Sequence, residues 1–447
     1  MALAPALVAT HGLAPGAAFR WGAGFGCAVA ALGLTWFWNV FGPGSPLLWG
    51  MLGVWFGIFF AGRALLERSF TPSLAFAATA LWWVAVEFFR AEGYPLRCTF
   101  LCLGHALAGG TCPLALAARA VGAYGLGTFI FIVNLGAAEA CRLGWDRRRA
   151  GLAFAGTAVA ALAVLSVTAM WARARAARPD GADLVRVSAV QHEPGAAHEF
   201  IALSRDGSGH SPAWILWPEI AVPHDVLADQ TVRRQIETLA RETKAVVGVG
   251  CQLTHPDGPP DFWNAYVLFG PDGRHLGTYT KLQPVPLMND GVPGSEYPVF
   301  ATRQGRLGVA ICYDGDFSWI PRRLTANGAQ VLVIPILDPA AWGERMRRQH
   351  LAASVLRAIE NDRFVIRPAN APPTVIIDPT GAVTAQLEAP RPGVLSGSVS
   401  LRDSRTLYNR YGWLWPYVCQ VAAVAALAWA FVRERRRAAA TMPRGDA

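Results

Sequence analysis

Six stretches of this chain are each nearly long enough, and apolar enough, to cross a bilayer. They constrain the architecture before any motif is read. Residues 22–41, 46–62, 71–89, 121–140 and 151–171 contain at most one charge each, and residues 412–432 form a further stretch close to the end of the sequence. A hydrocarbon core of about 30 Å calls for about 20 apolar residues in helical form. Over its 447 residues the chain is 53% hydrophobic and 16% charged. Buried helices of a large soluble protein account for one or two such stretches, not for this series. The expectation is a polytopic membrane protein with about six spanning helices.

The first residues, MALAPALVATHGLAPGAAFR, lack the basic start of a secretory signal, so the first span is expected to direct insertion. Arginines set the expected orientation. RLGWDRRRAG at 142–151, RERRR at 433–437, and Arg63 with Arg68 all fall on one side if the N-terminus is cytoplasmic. Arg90, Arg97 and Arg119 fall on the other side and run against this pattern. The net charge of +9 is therefore read as a topology signal, and a nucleic-acid partner is not expected. Only two of the 40 basic residues are lysines, Lys244 and Lys281. Arginine cannot replace lysine's compact ammonium everywhere, so each is a candidate for a specific role. The eight cysteines show no paired zinc-ligand spacing, and no metal is expected. Cys98, Cys102 and Cys112 share one segment that could hold a disulfide in an oxidising compartment, or simply buried or lipid-facing thiols.

The organisation follows. Residues 1–173 read as a membrane domain with about five spans, 172–183 as a polar linker, 184–405 as a soluble α/β domain, 412–432 as a last span and 433–447 as a basic cytoplasmic tail. An inside N-terminus and five spans put the soluble domain outside the cytoplasm. Within it, β-branched runs at 184–191, 214–218, 245–253, 307–312 and 329–335 alternate with helical patterns at 232–243 and 345–362. Residues 264–281 read as a hairpin around Pro-Asp-Gly. Such alternation predicts a layered α/β sandwich.

Three residues sit at or just past predicted strand ends, where the sites of α/β sheets gather: Glu219 after WILWP, Lys281 closing GTYTK, and Cys312 ending RLGVAIC. A carboxylate can take a thiol proton, and an ammonium can stabilise a thiolate and then an oxyanion. Singly, each has a plainer reading: a core thiol, a first-turn helix acid, a surface lysine. No histidine falls at a comparable strand end, which argues against a Cys–His pair.

WPE, GTYTK, GVAICYD and RAIENDRFVIRPAN together resemble the nitrilase, or carbon–nitrogen hydrolase, superfamily. With the membrane region the resemblance narrows to the apolipoprotein N-acyltransferases. It extends to the glycine-rich RWGAGFGCAVAALGLTWFW, to ALWWVAVEFFRAEGYP, to VGAYGLGTFIFIVNLGAAEA and to DPAAWGERMRRQHLAASVLRAIENDR. The resemblance implies a polytopic helical membrane domain joined to a nitrilase-like αββα sandwich. It implies Glu219 as general base, Lys281 as oxyanion-stabilising cation and Cys312 as acylated nucleophile, with a backbone N–H near Tyr313 assisting. Two positions depart from the family pattern. Asn289, followed by Asp290, stands where a second glutamate is usual, and Asp314 stands where a glutamate commonly follows the Cys-Tyr pair.

The implied reaction is a ping-pong transfer at a bacterial cytoplasmic (inner) membrane, with the site facing the periplasm. An acyl chain leaves a phospholipid for Cys312, then passes to the N-terminal amine of a diacylglyceryl-cysteine lipoprotein. A thioester drives amide formation without ATP, and no cofactor is called for. Val285, Leu287, Met288, Trp319 and Trp342 are candidates for facing acyl chains, or for ordinary core packing. Two alternatives stay open: a membrane-tethered amidase or hydrolase using water, and a catalytically impaired relative acting as an interaction protein.

Overall fold

The computed structural model describes residues 3–108, 112–143, 148–176 and 184–441. The chain divides into two compact units, one of Met1–Ala106, Val121–Thr168 and Tyr411–Ala447, the other of Leu107–Ala120 and Ala169–Arg410.

Among the described residues five helices are long and apolar enough to cross a membrane: Phe37–Ser69, Pro72–Gly93, Pro113–Leu143, Gly151–Ala174 and Gly412–Arg437. The chain is a multi-pass membrane protein. The expected span over 22–41 is not one helix. A helix runs over Pro15–Gly33, ends where Leu34 turns to φ −119°, ψ 48°, and a short helix follows at Phe37–Phe41. Arg20 and five glycines dilute the apolarity of the Pro15–Gly33 helix. Those glycines serve packing instead. A Cβ on Gly22 would lie 2.6 Å from Phe60 Cδ2, and one on Gly26 2.5 Å from Phe56 Cβ, so the two helices meet almost backbone to ring. The expected linker at 172–183 begins inside the Arg148–Ala176 helix, and 177–183 lie outside the described residues, as do 144–147 of the basic loop and 442–447 of the tail. All eight cysteines are free.

Among its described residues the second unit holds twelve strands: β1 (Leu184–Gln191), β2 (Trp214–Leu216), β3 (Val246–Thr254), β4 (Phe262–Phe269), β5 (His275–Thr280), β6 (Val299–Ala301), β7 (Arg306–Val309), β8 (Val331–Val333), β9 (Phe364–Arg367), β10 (Thr374–Ile377), β11 (Val383–Leu387) and β12 (Gly393–Ser400). They form two six-stranded sheets, ordered β12-β1-β2-β3-β4-β5 and β11-β10-β9-β8-β7-β6. Helices Ala197–Asp206 and Gln230–Thr243 pack on the first sheet, and Trp319–Ala326 and Glu344–Asn361 on the second. This is the four-layered αββα sandwich.

The central strands explain the arrangement. β2, β7 and β8 have every inward and outward position buried except the first residue of β7. Runs apolar on both faces suit parallel strands covered by helices on one side and a second sheet on the other. β1–β2, β2–β3, β7–β8 and β8–β9 are parallel. Their C-terminal ends therefore share one rim in each sheet, the place where the sites of such sheets gather.

Candidate active site

Glu219 follows β2 through Trp217 and Pro218. Trp217 is fully buried, its N–H donates to Gly248 O (2.9 Å), its indole N–H to Ser204 Oγ (2.9 Å), and its carbonyl accepts from Tyr266 OH (3.0 Å). The strand is thus clamped up to the residue before the proline. β3 passes so close beneath that a Cβ on Gly250 would lie 2.1 Å from Pro218 O and 2.8 Å from Glu219 Cα. Ile220 leaves in the left-handed region at φ +45°, unusual for a β-branched residue and a local strain of about 1–3 kcal/mol.

Lys281 emerges where β5 ends. Its backbone N–H donates to Asn264 O across the β4–β5 pair (2.8 Å). Lys281 Nζ lies 2.8 Å from Glu219 Oε1 and 2.6 Å from Asp290 Oδ2. Asn264 Nδ2 donates to both carboxylates, at 2.7 Å to Glu219 Oε1 and 2.8 Å to Asp290 Oδ1. Asp290 Oδ2 also accepts from the Val285 N–H (2.8 Å), which ties the loop after β5 to the cluster. Glu219 and Lys281 are buried, and Glu219 Oε2 has no hydrogen-bond partner. Asn289, expected in the second carboxylate's place, is exposed; Asp290 is the residue on Lys281.

Cys312 does not finish a strand. β7 ends at Val309, and Cys312 opens a 3-10 turn, Cys312–Asp316, at φ +50°. Its N–H donates to Pro335 O beyond β8 (2.9 Å), which fixes the thiol at the rim. Asp314 points back under the neighbouring loop. It accepts from Tyr279 OH (2.7 Å) and from the N–H groups of Gln283 (2.7 Å), Leu282 (3.1 Å) and Ile311 (3.2 Å). It thereby fastens the Cys312 turn to the residues following Lys281. Tyr313 is buried with its ring edge-on to Phe317.

The electrostatics follow from burial. Desolvation raises the Glu219 carboxyl above the ordinary range, Lys281 pulls it down, and Asp290 adds to the rise. Burial works against the Lys281 ammonium, but Glu219 and Asp290 outweigh it and hold its pKa well above the usual range. The Cys312 thiol is pushed well up by burial and by Glu219, and pulled down by Lys281. Burial lifts Asp314 to about 7, against the pull of Lys281 and of its own donors. A basic carboxylate, a permanent cation and a thiol within their joint field can generate a thiolate when a substrate displaces water and take the proton onto Glu219.

Sequence reasoning set histidine aside, and the structure brings one to the thiol. His350 lies in the Glu344–Asn361 helix. A ring nitrogen of His350 and a carboxylate oxygen of Asp338 both lie within 4.8 Å of Cys312 Sγ. Asp338 follows β8 and is held by His350 Nδ1 and by Arg367 Nη2 of β9, both at 2.9 Å. The Asp338 N–H reaches Asn370 Oδ1 (2.7 Å), and Asn370 Nδ2 donates to Glu193 Oε2 (2.7 Å). Cys312, Asp338 and His350 are close enough together to suggest a metal seat, yet both Asp338 oxygens are already engaged by His350 and Arg367. The group is better described as a buried ion cluster. Asn264 was also overlooked, although a lone amide inside the apolar run FWNAYVLF was a visible signal.

Of the candidate acyl-facing residues, Leu287 is 67% exposed on the loop after β5, at φ +67°. Val285, Met288, Trp319 and Trp342 are each half-buried. Lys244, the other lysine, caps the Gln230–Thr243 helix in the left-handed region.

Residues 211–409 match the carbon–nitrogen hydrolase family. Along almost the whole chain the sequence is similar to the apolipoprotein N-acyltransferases of Geobacter metallireducens (29% identity, 97% of this chain, 91% of that one) and of Azotobacter vinelandii (28%, 97% and 90%). Among solved structures, a cysteine mutant of a nitrilase-superfamily amidase from Nesterenkonia AN1 aligns with 53% of this chain and 97% of its own, at 23% identity and a TM-score of 0.43. The sandwich, whose residues 211–409 match the carbon–nitrogen hydrolase family, and the membrane-capable helices lie in one polypeptide that is similar over almost all of its length to apolipoprotein N-acyltransferases.

Proposed function

We propose that this enzyme moves an acyl chain from a phospholipid to the N-terminal amine of a diacylglyceryl-cysteine lipoprotein, through a thioester on Cys312. The observation that carries the reading is the buried Glu219–Lys281–Asp290 cluster beside Cys312, in a chain whose described residues also hold five membrane-capable helices. Both substrates are lipid-anchored, so a membrane-embedded enzyme is the form this chemistry requires.

Glu219 takes the Cys312 proton as the thiolate attacks the ester carbonyl. Lys281 and backbone N–H groups at the nucleophile turn hold the oxyanion. The tetrahedral intermediate collapses, the lysophospholipid oxygen takes the proton from Glu219, and the thioester remains. The acceptor amine then attacks the thioester, loses a proton to Glu219, and departs as an amide while the thiol is restored. The orientation that suits this reaction puts the sandwich on the periplasmic side of the cytoplasmic membrane, in line with the arginine placement at 63, 68, 142 and 433–437. The exposed Leu287 and its half-buried neighbours Val285 and Met288 are suited to an acyl chain.

The test is direct. The purified full-length protein is incubated with phosphatidylethanolamine in detergent, and the Cys312 peptide is weighed by mass spectrometry. The expected result is an acyl adduct that a diacylglyceryl lipopeptide discharges and water does not. Discharge by water alone makes the chain a hydrolase, and no adduct with any phospholipid overturns the enzymatic reading.

A further inference from the structure

We propose that His350 is a second charged group governing the Cys312 thiol: an imidazolium, held by Asp338 and Asp316, that favours the thiolate from a direction independent of Lys281. The inference rests on Cys312 being the nucleophile, not on the identity of donor or acceptor.

Four buried charged groups form one cluster, Asp316 on the Cys312 turn, Asp338 after β8, His350 on the Glu344–Asn361 helix and Arg367 on β9, and Asp338 and His350 each bring an atom within 4.8 Å of Cys312 Sγ. Their formal charges balance when His350 is protonated, two negative and two positive. His350 Nδ1 is 2.9 Å from Asp338 Oδ2, and His350 Nε2 is 3.4 Å from Asp316 Oδ1. The second distance is long for a hydrogen bond, and Nε2 is a buried donor that makes none. A buried imidazole between two carboxylates is held charged. Burial works against the proton, but Asp338 and Asp316 outweigh it and raise the His350 pKa. Asp338 is itself held ionised by His350 and Arg367 against the cost of burial.

The geometry gives the charge its purpose. Asp338 lies within 4.8 Å of the sulfur and by itself opposes a thiolate there. With His350 charged and one of its ring nitrogens also within 4.8 Å of the sulfur, that opposition is offset. A purely structural cluster would hold the Pro335–Asn370 segment in place and leave the thiol's ionisation untouched. The charged groups facing His350 from neighbouring elements are Asp316, Asp338, Arg367 and Cys312.

The experiment reads Cys312 itself and needs no substrate. The full-length protein in detergent is treated with iodoacetamide from pH 6 to 10, and alkylation of the Cys312 peptide is timed by mass spectrometry. His350→Gln removes a positive charge, and the apparent pKa of alkylation is expected to move up by about one pH unit. Asp316→Asn removes a negative charge while Asp338 keeps His350 protonated, and the apparent pKa is expected to move down. A structural role moves neither, or moves both in the same direction through loosening, and either result overturns the proposal. If neither variant folds, the wild-type profile decides. A thiolate formed beside an imidazolium gives two ionisation steps, because its reactivity changes again when the imidazolium titrates, and a single step overturns the proposal. These outcomes are independent of acyl transfer: a chain that never carries an acyl group can still show the opposed shifts.

Discussion

Asp290 Oδ2 approaches Lys281 Nζ more closely than Glu219 does, at 2.6 Å against 2.8 Å, and Asn264 binds both carboxylates with one amide nitrogen. The second acid of the site therefore comes from Asp290, one residue beyond the position where a glutamate was expected. The shift is affordable because the loop after β5 carries no regular structure and folds Asp290 back to the Val285 N–H. Asp290→Asn is predicted to slow Cys312 acylation by about tenfold to a hundredfold, the range for losing one charged partner of a buried catalytic group. Asn289→Ala, at an exposed site, should leave the rate within about twofold. Single-turnover acylation followed by mass spectrometry separates the two; equal effects would mean that the cluster does not depend on Asp290.

The same pair fixes the direction of a pH effect. Glu219 must be ionised to accept the thiol proton, and burial together with Asp290 raises its pKa. The acidic limb of the acylation profile is thus expected above the ordinary carboxylate range. Lys281, held cationic well above its usual range, does not limit the neutral region. Asp290→Asn removes a negative charge beside Glu219, so Glu219 ionises more readily and the acidic limb moves to lower pH even as the maximal rate falls. A limb that stays in place, or moves up, contradicts the assignment of Glu219 as the base. The profile is best measured at low detergent charge to avoid a surface potential.

Lys281→Met and Glu219→Gln should separate stability from chemistry. Without Lys281, two carboxylates face each other in a buried site, and breaking such a pair costs about 3–5 kcal/mol. The apparent Tm of the sandwich should fall by about 10 °C. Glu219→Gln leaves Lys281 with Asp290 and relieves the repulsion between the two acids, so the melting point should stay within a few degrees while acylation falls by about 10²–10⁴. Differential scanning fluorimetry alongside the acylation assay checks both; a Glu219→Gln protein that melts as early as Lys281→Met would make Glu219 a structural residue.

Asp314 is fully buried and its carboxylate is surrounded by donors from Tyr279, Leu282, Gln283 and Ile311. Asp314→Glu, the residue more usual in the family, adds a methylene to a closed space and is expected to cost about 1–3 kcal/mol here. Its folded pKa of about 7 exceeds the unfolded value, so ionising Asp314 costs stability. That contribution is present at acid pH and is lost as pH rises toward 7, and Asp314→Asn should flatten this part of the melting profile. A wild-type slope unchanged by Asp314→Asn would place the titration elsewhere.

What the sequence revealed, and what it did not, has a physical pattern. The β4–β5 hairpin was legible because alternation flanks Pro-Asp-Gly, and Gly273 does take the left-handed turn position at φ +80°. β3 and the two long helices of the sandwich were legible for the same reason, since their periodicity is local. Cys312 was placed at a strand end, but it opens a turn in the left-handed region, and its N–H is tied to Pro335 O beyond β8, 23 residues away (335 − 312). His350 was set aside because it sits on a helix, and only the packing of that helix over the second sheet brings it to the thiol. The Pro15–Gly33 helix misled by apolarity alone: its glycines serve close packing rather than length. Short edge strands such as β6 and β11 exist through their partners and carry little pattern of their own.

Gly250 offers the most local test of how the base is positioned. It lies on β3 under the β2 extension, where a Cβ would come within 2.1 Å of Pro218 O, 2.7 Å of Ile220 N and 2.8 Å of Glu219 Cα. All three are backbone atoms, so the clash cannot be relieved by a rotamer change, and the segment carrying Glu219 has to lift from the sheet. Gly250→Ala is predicted to cost about 1–3 kcal/mol in stability. A displacement of about 1 Å at a reacting group costs about a hundredfold in rate, and a similar fall in Cys312 acylation is expected. Gly209→Ala is the matched control, because a Cβ there meets nothing within 4 Å. Apparent Tm and single-turnover acylation are measured for both variants. If Gly250→Ala lowers the Tm but keeps the wild-type rate, Glu219 is held in register by Asn264 and Lys281 rather than by the close approach of β3.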